Sequence, residues 1–161
     1  MTQTDTGPLA PATRLLGYAG LLPQVLAVLF ELPIGPRWWR EAAVVAPMLA
    51  LFYGAVILSF LGGIWWGFAT GRRGGSQARL AAIAVVPSLV AFALLIAAPF
   101  VFDWALVGLG SAILLTLLVD RHLVSTGEAP QGWLQLRVPL SAGLGALTIL
   151  VAILARPLVI A

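Results

Sequence analysis

Five apolar runs separated by short polar clusters organise the chain, at about residues 14–32, 43–70, 80–98, 103–120 and 138–156. Roughly 20 residues rising 1.5 Å each cover a hydrocarbon core of about 30 Å, so each run is of a length to span a bilayer. Inside lipid every backbone N–H and C=O must be bonded within the protein, which makes such runs helices. The pattern predicts an all-α polytopic membrane protein, a bundle of five transmembrane helices in one domain over residues 14–161. The polar stretch 1–13, with Pro8 and Pro11, lacks the cationic start of a secretory signal peptide and is expected to be a disordered tail.

Interruptions refine the pattern. Pro23 should kink the first span, and Gln24 beside it needs a partner, because an unpaired amide in lipid is costly. Glu31 to Glu41 reads as a loop with an aromatic anchor, Trp38–Trp39, at headgroup level. The second span exceeds one bilayer thickness, so it must tilt or extend into the interface. Pro47 and Pro139 fall near span starts, where proline is tolerated, and Pro87 lies near the centre of the third span beside Ser88.

A second periodicity lies on top of the first. Ala55, Ser59, Gly63, Gly67 and Gly71 recur at intervals of four, as do Gly108, Ala112, Thr116 and Asp120, and Arg137, Ser141 and Gly145. Residues four apart share a helix face, and small residues let membrane helices approach closely, so Ala55, Ser59, Gly63, Gly67, Gly71, Gly108, Ala112 and Gly145 are candidate packing positions. Each step of four overshoots a full turn by about 40°, so the first stripe should pass between at least two neighbours.

Composition excludes whole classes. Apolar residues make up 61% of the 161, charged residues 9%, and mean hydropathy is +1.03, unlike any soluble domain. With no cysteine there is no disulfide, thiol nucleophile or thiolate metal site. The net charge is only +3 and the nine basic residues, all arginine, are scattered, so nucleic acid is not an expected partner. With five spans, Arg14, Arg72, Arg73, Arg79, Arg121 and Arg137 share one face, against Arg37, Arg40 and Arg156 on the other. The asymmetry puts the N-terminus in the cytoplasm, or in a matrix-like compartment, and the C-terminus on the outer side.

Ionisable groups near the hydrocarbon are the best pointers to function. Asp120 and Arg137 end and open consecutive spans at the same face, where they can meet. Three readings are open: a structural ion pair, part of a ligand or proton site that also recruits Arg121 and His122, the one histidine, or no contact. Too few ligands accompany His122 for a metal, so no metal or other cofactor is expected. Of Trp65 and Trp66, about 100° apart, one ring can face lipid while the other enters the bundle, and Trp66 is the candidate. A ligand cavity would draw on Pro23, Gln24, Tyr53, Ser59, Trp66 and Pro87. No serine-centred turn or second base accompanies the hydroxyls, so no catalytic residue is assigned and no enzyme expected.

The segments GYAGLLPQ, YGAVILSFLGGIWWG, VVPSL and GWLQLRVPLS, together spanning about Gly17 to Ser141, resemble the domain of unknown function 3429 family. The second of these segments is the most specific. The resemblance implies a small multi-span protein of the bacterial inner membrane, similar to mitochondrial transmembrane protein 69, with no activity to transfer. Members often carry a histidine or another polar residue where this chain has Trp65. The expected function is a non-enzymatic accessory or assembly component of a membrane complex, with the bilayer and other membrane proteins, or a second copy, as partners. The alternative is a protein that binds or transports a small hydrophobic ligand in an intramembrane cavity.

Overall fold

The computed structural model describes residues 11–71, 74–130 and 132–155. These form six helices: α1 (Pro11–Ala19), α2 (Leu22–Glu31), α3 (Arg37–Thr70), α4 (Gly75–Ala97), α5 (Phe102–Ser125) and α6 (Trp133–Leu154). No strand occurs among the described residues. α1 and α2 together make the first span, and five segments are long and apolar enough to cross a membrane. The tail expected through residue 13 lies outside the described residues up to residue 10, and Pro11 to Thr13 already belong to α1. Arg72, Arg73 and Arg156 also fall outside the described residues.

The first span breaks rather than bends, and it breaks one turn ahead of Pro23. A proline ring collides with the carbonyl four residues earlier, here that of Ala19, where α1 ends. Pro23 then occupies the opening turn of α2, where its missing N–H has no consequence. The interruption leaves the Gly20 carbonyl to accept a hydrogen bond from Tyr53 Oη at 2.6 Å. One turn on, buried Gln24 donates through Nε2 to the Ala50 carbonyl at 3.1 Å and to Thr148 Oγ1 at 2.7 Å, tying α2 to α3 and α6 in the apolar interior. At the far end of α2 the Trp39 indole donates to the carbonyls of Leu29 and Leu32, each at 3.1 Å, capping that helix while Trp38 stays exposed.

α3 packs most extensively on α4, and α5 on α6; α2 lies against α3 and α6, and α1 leans on α6. The core centres on Leu58, Leu106, Leu109 and Ile113, with a second cluster of Trp65, Ala69, Leu80, Ala84 and Leu123 toward one end. Two crossings depend on glycine. A Cβ at Gly62 would collide with the Ala84 carbonyl of α4, and a Cβ at Gly110 would stand 2.6 Å from the Gly145 carbonyl of α6.

The small-residue stripes are accordingly redistributed. On α3, Ala55 is buried and Ser59 half-buried, but Gly63, Gly67 and Gly71 are exposed, and a Cβ added at Gly63 or Gly67 would meet no other part of the bundle within 4 Å. The 40° drift per step carries that stripe out of the bundle, and within the chain the contact passes to Gly54, against Leu109, and Gly62. On α5, Gly108 faces Leu94 of α4 and Ala112 borders the core, while Gly110 meets Gly145. Gly62→Ala should lower stability by about 1–3 kcal/mol through overpacking against backbone. Gly63→Ala should leave stability unchanged or raised, as read by thermal unfolding in detergent followed by tryptophan fluorescence.

Candidate functional site

Each crossing reverses the chain, so the end of α3, the end of α5 and the start of α6 share one membrane face. Trp65 and Asp120 each precede a helix end by five residues, and Arg137 follows the start of α6 by four. At 1.5 Å per residue all three lie about 7 Å below those ends. Helix register alone therefore sets them at one depth, and packing turns them toward each other.

Asp120 is completely buried. Its Oδ1 accepts hydrogen bonds from the indole N–H of Trp65 at 2.9 Å and of Trp133 at 3.1 Å. Its Oδ2 accepts from Arg137 Nε at 2.8 Å. Arg137 also donates through Nη2 to Thr116 Oγ1 at 3.3 Å, and the Thr116 hydroxyl donates in turn to the Ile113 carbonyl at 2.6 Å. The guanidinium carbon stands 5.8 Å from the Trp133 ring centroid, a cation–π distance, and Phe68 meets the same ring edge-on at 5.6 Å. One negative and one positive group thus neutralise each other in the apolar interior, with indole donors completing the carboxylate's shell.

On the other side of Arg137 lies a cavity of about 220 Å³. Leu16, Gly17, Gly20 and Leu21 of the broken first span form one wall; Ile57, Phe60 and Leu61 of α3, Ile113 of α5, and Leu140 and Leu144 of α6 form the rest. Its polar side chains are those of Arg137 and Ser141. Ser141 is buried and its hydroxyl has no hydrogen-bond partner. Leu16 and Phe60, both largely exposed, stand where the cavity opens between α1 and α3.

Of the residues picked from sequence as ligand candidates, only Arg137 lines this cavity. Asp120 sits behind it as the partner of Arg137. Gln24 and Tyr53 are engaged in holding the first span to α3 and α6, and Ser59 is half-buried away from the cavity lining. Trp66 is half-exposed on the outer face of α3 and His122 is exposed on α5, so neither joins the network. Sequence reasoning passed over Trp65, Trp133 and Ser141. Trp65 is in phase with buried Leu58, Leu61 and Ala69, and Trp133 precedes Arg137 by one turn, so both were visible as neighbours of the ion pair. Among the described residues there is no group of three or more His, Cys, Asp or Glu side chains placed to hold a metal ion.

A family model described as "Protein of unknown function (DUF3429)" matches residues 9–153. No curated protein and no solved structure matches the chain.

Removing one partner of the buried pair strands the other charge. Asp120→Ala or Arg137→Ala should each cost about 3–5 kcal/mol, whereas the double variant Asp120→Leu/Arg137→Met should lose far less. Trp65→Phe, which removes one charge-assisted hydrogen bond, should cost about 1.5–3 kcal/mol. Equilibrium unfolding in mixed micelles of the wild type, Asp120→Ala, Arg137→Ala and Asp120→Ala/Arg137→Ala gives the coupling energy directly; additive losses would contradict the pairing.

Proposed function

The chain belongs to the DUF3429 family of proteins of unknown function, and on that premise we propose that it is a non-enzymatic integral membrane protein that holds a small amphiphilic ligand between its helices. One observation carries this reading: a cavity that opens between α1 and α3 and is apolar along its walls has a buried arginine and an unpartnered buried hydroxyl within it. An unsatisfied buried polar group costs about 1–3 kcal/mol, which a bound head group would recover. Few, well-placed polar groups in an apolar pocket between helices are the usual composition of a small-molecule site. We place the protein in the bacterial inner membrane, following what the family resemblance implies, and set its N-terminus and the Asp120–Arg137 pair toward the cytoplasm and its C-terminus toward the periplasm, on the strength of the arginine asymmetry.

A second reading, an accessory component of a membrane complex, has its own support. Gly63 and Gly67 lie bare on the outer face of α3 beside half-exposed Trp66, the kind of surface on which another transmembrane helix packs closely. Mass spectrometry of the natively extracted complex at endogenous level tests it, since a protein without partners contradicts it.

For the ligand-binding reading, the purified full chain in nanodiscs is irradiated with a diazirine-tailed lipid. Adducts should map to Ile57–Leu61 and Leu140–Leu144, and Ile57→Trp, which fills the cavity, should remove most of them. Adducts confined to the outer faces of the helices, unchanged by Ile57→Trp, would overturn the proposal.

A further inference from the structure

Resting on the ligand-binding reading above, we propose that the occupant is a neutral amphiphile with a carbonyl head, an ester or quinone oxygen. That oxygen sits on Arg137 and Ser141, and the tail leaves between α1 and α3. The cavity's chemistry selects against an anion. Arg137 is the one cation among the lining residues, and Asp120 already neutralises it at 2.8 Å. A phosphate or carboxylate head would bring a second negative charge beside a buried carboxylate with no second cation to meet it, an arrangement heavily penalised in an apolar interior.

A neutral acceptor meets no such opposition. Two of the five N–H donors of the guanidinium are committed to Asp120 and Thr116. Those that remain and the unpartnered Ser141 hydroxyl are donors, and a carbonyl oxygen offers two lone pairs and no proton of its own. Apart from Gly17 and Gly20 the lining beyond these two residues is aliphatic or aromatic out to exposed Leu16 and Phe60, which suits a hydrocarbon tail and provides no polar side chain for a second head. The Asp120 network therefore acts on the cavity at one remove: it holds Arg137 in place and cancels its charge, leaving hydrogen-bond donors without a net positive field.

The test uses the full-length chain in nanodiscs and three diazirine probes with the same tail: a methyl ester, a permanently anionic alkyl sulfonate, and the plain alkane. The ester should label Ile57–Leu61 and Leu140–Leu144 more than the alkane. It should exceed the sulfonate by at least about tenfold, a small part of what like-charge opposition in a low-dielectric site supplies. Equal labelling by sulfonate and ester overturns the charge argument, and equal labelling by alkane and ester overturns the carbonyl. Labelling of these segments by none of the three removes the ligand-binding reading itself. Unlabelled benzoquinone and diacylglycerol of matching tail length compete as the two sources of such a carbonyl, and failure of both to displace the ester contradicts the assignment. Asp120→Asn, checked for folding by gel filtration, leaves Arg137 uncompensated and should admit the sulfonate. A folded variant that still excludes it contradicts the role given to Asp120.

Discussion

A carboxylate with no access to water governs this structure. Asp120 can exist where it does only because Trp65, Trp133 and Arg137 arrive at it from three directions, and each arrives from a definite turn of α3 or α6. Buried ion pairs add little net stability, since desolvation offsets most of the attraction, but they discriminate sharply among alternative packings. Sliding α6 by one turn would move Arg137 by 5.4 Å and leave two opposite charges unpaired in an apolar interior. The network thus fixes the register of three helices at one end of the bundle, much as the Gln24 contacts fix the first span nearer its middle.

Close backbone approach supplies the attraction that the polar groups direct. Lipid tails are as apolar as leucine, so membrane helices gain little by burying hydrophobic surface against each other and rely on packing contacts. At Gly62 under the Ala84 carbonyl and at Gly110 against Gly145, α3 meets α4 and α5 meets α6 with no room for a Cβ. Larger residues fill the space between, and the cavity beside Arg137 lies where the first span is interrupted at Gly20 and Leu21, beside α6, which α2 contacts more extensively than α1 does.

The all-helical class and the existence of five spans were legible in the sequence because hydrocarbon thickness imposes a length on every apolar run. Helix ends were less legible. α5 continues past Asp120 to Ser125, and α6 starts at Trp133, ahead of its apolar run, because a helix entering the interface keeps its backbone bonds whatever its side chains are. Asp120 and Arg137 could be set on facing stripes from spacing, and the structure brings them to 2.8 Å. Trp65 and Trp66 could not be told apart by spacing counted from Gly63 and Gly67. That stripe rotates out of the bundle, and only the phase of Leu58, Leu61 and Ala69 shows which ring turns inward. The cavity had no signature in sequence, since it arises from where a broken helix leaves space rather than from a motif.

The length of α3 has a further effect on how the protein sits in a bilayer. Its 34 residues measure about 50 Å, against a hydrocarbon core of about 30 Å, while the other continuous helices have 22 to 24 residues. Arg37, Arg40 and Glu41 occupy its opening turns, so the surplus stays on the side away from Asp120, where Trp39 fastens it to the end of α2. The bundle is therefore ballasted at one end and trimmed at the other. A thicker membrane would draw the charged turns toward the oil, and a thinner one would raise the carboxylate toward water, so the two ends together set its waterline.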